Sequence, residues 1–263
     1  MKLGVFDSGL GGLTVVRAIR RLYPHVDIVY LGDTARVPYG VRSPQVIVQY
    51  AIECAHFLST QKIDAVVIAC NTVSALAIPE VKQQMTVPVY GVLEPGARAA
   101  SKYDRVGVLA TRATVRSQAY TRAIHALNPK SEVVSVASPL LVPLVEEGWA
   151  KSPNGKLTSI VSQTLSHYLE PLAHAKIQAM ILGCTHYPLL KELIEAEFEK
   201  LGWTIPLIDS GEELAKEIPI SNLENPDHTG KLEVYTTDES VTFQSMAEAF
   251  LSESVPHVAR AKL

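Results

Sequence analysis

The chain has 263 residues, is 47% hydrophobic and 19% charged, and carries a formal net charge of −3. This is the balance of a folded globular protein with room for one large or two small domains, and it excludes a disordered chain. With no long Lys/Arg block and no apolar run near the roughly 20 residues that cross a bilayer, nucleic acid, membrane surfaces and membrane spans are excluded as main roles.

The chain opens with Met1-Lys2-Leu3-Gly4-Val5-Phe6, which leads directly into a strand, so no signal peptide is expected. Lys2–Phe6 reads as a strand, Leu13–Leu22 as a helix and Asp27–Leu31 as a strand. Arg17, Arg20 and Arg21 share one face of that helix and read as a solvated surface. Pro44–Ser59 is a helix, Ala65–Ala69 a strand, Ser74–Gln84 a helix and Val87–Val92 a strand. Short apolar runs alternating with helices imply βαβ units and a mostly parallel sheet covered on both faces. The pattern then restarts. Arg105–Ala110 is a strand, Arg116–Leu127 a helix, Glu132–Ala137 a strand and Leu157–Leu169 a helix. Ala179–Leu182 is a strand, Leu189–Leu201 a helix and Thr204–Ile208 a strand. The second half echoes the first, which points to an internal duplication. In the tail, Ile218–Gly230, with Asn225-Pro226-Asp227, reads as a loop. Lys231–Thr236 is a strand and Val241–Leu251 a helix. The expected fold is α/β, with two pseudo-symmetric units, each a mostly parallel sheet flanked by helices.

Three widely spaced cysteines make no disulfide framework, so reduced thiols and a cytoplasmic setting are expected. Cys54 falls on the apolar stripe of its helix with Ile47, Ala51 and Leu58, and reads as a core residue. Cys70 and Cys184 differ. Each follows the third strand of its half, after Ala65-Val66-Val67-Ile68-Ala69 and Ala179-Met180-Ile181-Leu182-Gly183. Each precedes two hydrogen-bonding residues, Asn71-Thr72 and Thr185-His186. Ligands bind outside the carboxyl ends of strands in open α/β sheets. A helix start there offers free N–H groups that favour a thiolate, so both thiols are expected below the free value of about 8.5. Two thiols at equivalent strand ends suggest one site between the halves. Moving a proton from one face of a carbon to the other is a reaction that needs such a pair.

Other polar loops follow strands. Asp7-Ser8-Gly9-Leu10-Gly11-Gly12 opens the first helix. Its glycines would let backbone N–H groups approach a small anion, and it matches no nucleotide-binding motif. Asp7 is either a helix cap or a partner for an ammonium or a thiol. Asp33–Gly40 follows the second strand, with Pro38-Tyr39-Gly40 as a turn, and Tyr39 is either a site residue or a surface aromatic. Thr111-Arg112-Ala113-Thr114 offers hydroxyls to a carboxylate or to a helix cap. Asp209 reads as an N-cap ahead of Glu212 and Glu213. His186 is either a solvent-exposed histidine or a partner of Cys184. A Cys-x-His pair also suits zinc, but a closed zinc site needs four ligands and no second pair is present, so no metal is expected.

Taken together, Phe6–Gly12, Asp33–Gly40, Ala69-Cys70-Asn71-Thr72 and Gly183-Cys184-Thr185-His186-Tyr187-Pro188-Leu189 resemble the cofactor-independent aspartate/glutamate racemase family, and within it the glutamate racemases. The segments span most of the chain in the family's order. The sequence does not show the N-terminal extension of some members, so an effector site built on it is not expected.

The resemblance implies two α/β domains around an interdomain cleft, residues 1–93 plus 210–263 and residues 94–209. It implies Cys70 and Cys184 as acid/base residues, assisted by Asp7 and His186 respectively, with Glu146 as a further carboxylate whose register against Glu147 is open. It implies substrate contacts from Asp7, Ser8, Tyr39, Gly40, Asn71, Thr72, Thr114, Thr185 and His186. It also implies no cofactor, L- and D-glutamate as substrates, a homodimer, and a role in supplying D-glutamate for peptidoglycan. Two rival readings are a Cys–His hydrolase that uses Cys184 and His186, which leaves Cys70 idle, and a non-catalytic amino-acid binding protein.

Overall fold

The computed structural model describes residues 1–151, 155–220, 228–238, 243–255 and 257–263. The first half runs β1 (Lys2–Asp7), α1 (Leu13–Leu22), β2 (Asp27–Gly32), α2 (Pro44–Ser59), β3 (Ala65–Ile68), α3 (Asn71–Leu76), α4 (Ile78–Gln84) and β4 (Val89–Gly91). After α5 (Leu93–Ala100) come β5 (Arg105–Ala110), α6 (Arg112–Ser117), α7 (Ala119–Leu127), β6 (Glu132–Ala137), α8 (Leu141–Glu146) and α9 (Gly155–His174). They are followed by β7 (Ala179–Gly183), a 3-10 turn over Tyr187–Leu190, α10 (Lys191–Lys200) and β8 (Leu207–Asp209). The tail adds α11 (Ser210–Glu217), β9 (Leu232–Thr236), α12 (Phe243–Leu251) and β10 (Val258–Arg260).

These strands make two sheets. One has the order β10-β9-β2-β1-β3-β4 and the other β6-β5-β7-β8. Every pairing is parallel. The order β2-β1-β3-β4 is repeated as β6-β5-β7-β8, so the duplication read from the sequence is a duplication of topology. Register repeats as well. Phe6 lies opposite Ile68 on the β1/β3 pair, and Leu109 opposite Leu182 on the β5/β7 pair. Cys70 and Cys184 each follow two residues beyond those partners, so they occupy equivalent strand ends. In this strand order the direction of winding reverses between the first and third strands, and a crevice opens at their carboxyl ends. The crevice at β1/β3 is flanked by Ser8 and Cys70, and that at β5/β7 by Thr111 and Cys184.

The strands form because their apolar runs are covered on both faces: β3 and β7 are buried throughout. In α1, Leu13, Val16 and Ile19 recur at helical spacing and are buried. Its arginines do more than face solvent. Arg20 Nε pairs with Glu253 at 2.9 Å and Arg21 Nη2 with Glu212 at 2.9 Å, which ties α1 to the tail. Cys54 is fully buried among apolar side chains.

Several element boundaries differ from the sequence reading. The helix expected over 74–84 starts at Asn71 and breaks at Ala77, because Pro79 has no N–H to continue the ladder and its ring would clash one turn back. The helix expected over 116–127 is two helices hinged at Gln118, which adopts φ 56°. α10 begins at Lys191, and the 3-10 turn occupies the preceding residues, so Cys184 does not sit at an α-helix start. The strand expected over 204–208 is Leu207–Asp209. α5 and α8 were not expected, since Pro95 and Pro143 mask them; both prolines lie in the first turn, where no N–H is needed. The Asn225-Pro226-Asp227 loop lies outside the described residues, as do the first two residues of the helix expected over 241–251. Among the described residues no helix is long and apolar enough to cross a membrane.

Equivalent glycines mark the repeat. A Cβ on Gly4 in β1 would lie 2.6 Å from Ile63 Cδ1 and 3.2 Å from Leu58 Cβ. One on Gly107 in β5 would lie 2.6 Å from Ile177 Cδ1 and 3.3 Å from Leu172 Cδ2. Helices therefore press onto the same strand position in both sheets. Gly4→Val and Gly107→Val should each cost about 1–3 kcal/mol by overpacking. Urea unfolding should show the loss as a lower midpoint with an unchanged slope.

Candidate active site

The two strand-end thiols line one cavity of about 300 Å3, together with Ser8, Tyr39, Gly40, Asn71, Thr72, Thr185, His186 and Glu146. Polar groups from both halves of the chain meet beside it. Thr72 Oγ1 lies 2.9 Å from Thr111 Oγ1 and 3.3 Å from Thr114 Oγ1. Thr14 Oγ1 is within donating distance, 3.0 Å, of the Thr185 carbonyl oxygen, and Thr185 Oγ1 donates to Asp7 Oδ1 at 3.5 Å.

The glycine loop serves this junction. A Cβ on Gly11 would lie 2.2 Å from Thr185 Oγ1 and 2.6 Å from His186 Nδ1. One on Gly12 would lie 2.5 Å from Asp7 Cβ. Gly11 lets the turn after β1 lie against the turn after β7, while Ser8 and Gly9 of the same loop line the cavity.

On the Cys184 wall, His186 is buried, not solvent-exposed. Its Nδ1 lies 3.8 Å from Cys184 Sγ, and its Nε2 lies 2.9 Å from Glu146 Oε1. The edge of its ring packs on Phe250 of α12, with centroids 5.0 Å apart. Burial alone would strip the ring of charge. The contacts with Cys184 and Glu146 outweigh it and raise the pKa to about 10. His186 is therefore an imidazolium at neutral pH, with one N–H aimed at sulfur and the other at a carboxylate. The neighbouring Glu147 lines a wider cleft of about 630 Å3 beside the site, which settles which of the two glutamates faces the histidine.

The Cys70 wall is different. Cys70 Sγ donates to Ser8 Oγ at 3.5 Å. Burial, with the charges of Asp7 and Cys184 added, pushes its thiol up to about 12. The helix-start N–H of Val73 and the Ser8 hydroxyl act in the other direction and lose. The expected lowering is thus reversed at Cys70, because α3 supplies one short turn of N–H groups against complete desolvation. Asp7 is also buried. Desolvation raises its pKa, opposed by the His186 charge and the N–H groups of Gly9, Gly12 and Ser8. Its Oδ2 accepts from Gly9 N at 3.0 Å, while the N-cap of α1 is Gly12.

Tyr39 is buried, not a surface aromatic, and its hydroxyl donates to the fully buried Asp33. Arg36 Nε donates to the same carboxylate at 2.6 Å, and Thr237 Oγ1 donates to its other oxygen at 2.9 Å. Thr114 does not line the cavity. It stands behind Thr72 and Thr111, and Thr111 and Arg112 take the lining positions. Aligning β5 on β1 puts Thr111 at the position of Ser8, so of the hydroxyls offered by the Thr111–Thr114 stretch it is the first that reaches the cavity and the second that stands behind it. Pro139, Val142 and Pro143 also line the cavity and were hidden with α8.

The family model for Asp/Glu/Hydantoin racemase matches residues 13–218. The chain belongs to this racemase family. Over 258 residues it is 45% identical to the glutamate racemase of Aquifex aeolicus (strain VF5), across 97% of this chain and 96% of that protein. Over 217 residues it is 47% identical to the glutamate racemase of Geobacter metallireducens, across 81% of this chain and 77% of that protein. The solved glutamate racemase of Francisella tularensis, a complex with D-glutamate, matches with a TM-score of 0.89 at 36% identity, over 99% of this chain and 97% of the other.

In this racemase-family chain the Glu146 carboxylate is an opposite charge beside the imidazolium, and such a neighbour favours the charged form. Glu146→Gln should therefore lower the pKa of His186 below about 10 while the Cys184 contact keeps it above the ordinary 6.5. Titration of the labelled His186 ring by NMR reads the shift.

Proposed function

We propose that this chain interconverts L-glutamate and D-glutamate by two-base proton transfer at the α-carbon, with Cys70 and Cys184 as the two acid/base groups. What carries the reading is that both thiols line one cavity, in a chain 45–47% identical to glutamate racemases. Asp7 assists Cys70, and His186 with Glu146 assists Cys184. Ser8, Tyr39, Gly40, Asn71, Thr72 and Thr185 hold the substrate, and Thr114 acts through the hydroxyls of Thr72 and Thr111.

By the family resemblance the base toward L-glutamate is Cys184, whose sulfur lies 3.8 Å from His186 Nδ1. Cys70, held at about 12, begins as the acid. L-Glutamate gives its α-proton to Cys184 as Cys70 delivers its own to the opposite face. One C–H and one S–H bond break, and one of each forms. The proton has moved from one sulfur to the other, and D-glutamate runs the same steps in reverse. The balance closes on the two thiols and calls for no cofactor. Charge growing on the α-carboxylate is met by donors at the strand ends, which count for more in a cavity shielded from solvent. Positioned proton transfer supplies roughly 10²–10⁴-fold, and preorganised charge and placement supply the rest.

The reading extends to two moving units, residues 1–93 plus 210–263 and residues 94–209, which the division of the strands between two sheets supports. By family resemblance it extends to a cytoplasmic homodimer that supplies D-glutamate for peptidoglycan.

Circular dichroism of L-glutamate incubated with purified protein should show loss of optical activity without added cofactor. Cys70→Ala and Cys184→Ala should each abolish that loss while melting like the parent. Near-normal turnover in either variant would rule out two bases. A hydrolase would instead accumulate an acyl-enzyme on Cys184 and tolerate Cys70→Ala. In deuterated water the product enantiomer should gain α-label before the starting one does; equal early labelling of both would point to one shared base. Gly11→Ala forces Thr185 and His186 to move, and a displacement near 1 Å at such a site costs about a hundredfold. The turnover number should fall by that order.

A further inference from the structure

Asn71 follows Cys70 and lines the cavity. Its amide oxygen meets two hydroxyls from distant parts of the chain. Tyr120 Oη, on α7, donates to Asn71 Oδ1 at 2.5 Å. Ser210 Oγ, at the first position of α11, donates to the same oxygen at 3.2 Å, with the Leu182 carbonyl as an alternative acceptor at 3.5 Å. Neither Tyr120 nor Ser210 lines the cavity. Asn71 is 3% exposed, and Tyr120 and Ser210 are each 2% exposed, so solvent does not replace these bonds.

An amide presents an acceptor on one side and two N–H donors on the other, and its partners decide which way it faces. Burial pushes the Tyr120 phenol above its ordinary value, so Oη keeps its proton and needs an acceptor. With Oδ1 taken by the two hydroxyls, the NH2 group is left for the cavity. The backing is tight. A Cβ on Gly96 would lie 2.9 Å from Ser210 Cβ and 3.5 Å from Tyr120 Cε1, and one on Gly183 would lie 3.4 Å from Tyr120 Cε2. Tyr120 thus stands behind the residue before Cys184 while it holds the residue after Cys70.

We infer that Tyr120 and Ser210 are positioning residues that set the Asn71 amide with its NH2 toward a carboxylate oxygen of the bound amino acid. The inference rests on the reading of the cavity as an amino-acid racemase site and adds the means by which one of its donors is oriented. Without the two hydroxyls the amide is free to turn its oxygen to the substrate, where a carboxylate would meet an acceptor instead of a donor. The loss therefore falls on binding and depends on the presence of Asn71.

The test is a double-mutant cycle between Tyr120→Phe and Asn71→Ala, read both as the KM for racemisation and as calorimetric binding of D-glutamate. Phenylalanine keeps the ring and removes only the donor. In the parent background Tyr120→Phe should raise KM and Kd about tenfold, the size of one lost hydrogen bond to a charged acceptor, with a smaller change in kcat. In the Asn71→Ala background the same substitution should change either constant by less than about twofold. Ser210→Ala is the second arm, with about a threefold rise that also vanishes without Asn71. Equal losses in both backgrounds would mean that Tyr120 and Ser210 act through packing, and would overturn the inference. So would an unchanged KM and Kd for Asn71→Ala. Failure of the parent protein to racemise glutamate would strike the functional reading instead, and calorimetry would still report whether the hydroxyls and the amide are coupled.

Discussion

A histidine ring that keeps its charge while buried is the condition on which the site rests. Desolvation alone would leave His186 neutral. The charge survives because sulfur and carboxylate stand at its two nitrogens, 3.8 Å and 2.9 Å away. Holding the ring there needs walls on its remaining sides. Phe250 supplies one, edge-on. The other is the backbone of Gly11, which comes so near that no side chain fits between. Electrostatics at one residue thus dictates composition at another on the far side of the chain. Gly11 is a glycine for the sake of a threonine and a histidine that lie in the other half.

The frame beneath this is symmetric and its contents are not. The repeated strand order sets Cys70 against Cys184 and Ser8 against Thr111 at equivalent strand ends. An amino acid bound between them has no such symmetry: its ammonium, carboxylate and side chain all differ. The polar groups around the two sulfurs must differ accordingly. Asp7 and Ser8 attend one wall, and Thr185, His186 and Glu146 the other. On the proposed reading, duplication supplies the two reactive positions, and divergence of the loops supplies the means to hold a chiral molecule between them.

The parts legible in the sequence were those decided by neighbours along the chain. α1, α2, β5 and β6 match their expected spans to the residue, since apolar periodicity over a few turns determines them. The duplication was visible for the same reason. What was hidden depended on contacts distant in sequence. Pro95 and Pro143 read as breakers, although a first-turn proline is harmless. Burial of His186 comes from Gly11 of the opposite half and Phe250 of the tail, and Tyr39 is covered by Tyr50 of α2 and bonded to the buried Asp33. The thiol of Cys70 was expected to be acidic because a helix start follows it; Asp7, sixty-odd residues away in sequence, and full desolvation reverse that. The role of Gly11 could not be read without knowing that Thr185 would be its neighbour.

A reversible two-thiol exchange also sets an energetic demand. One proton must reside on either sulfur without a steep climb between the two arrangements. At Cys70 burial, and after it the Asp7 carboxylate, penalise a thiolate and hold the proton on the sulfur. Under the proposed reading, a substrate ammonium near Asp7 would cancel much of the carboxylate's share of that penalty, because a buried ion pair presents little net field to its neighbours. Glu146 already does the same for the imidazolium on the other wall, pairing with it from the half-exposed side. With the Asp7 charge paired in this way, the penalty on a Cys70 thiolate would fall. Under the proposed two-base reading, the amino acid that is to be inverted is thus also the group that readies Cys70 to act as a base.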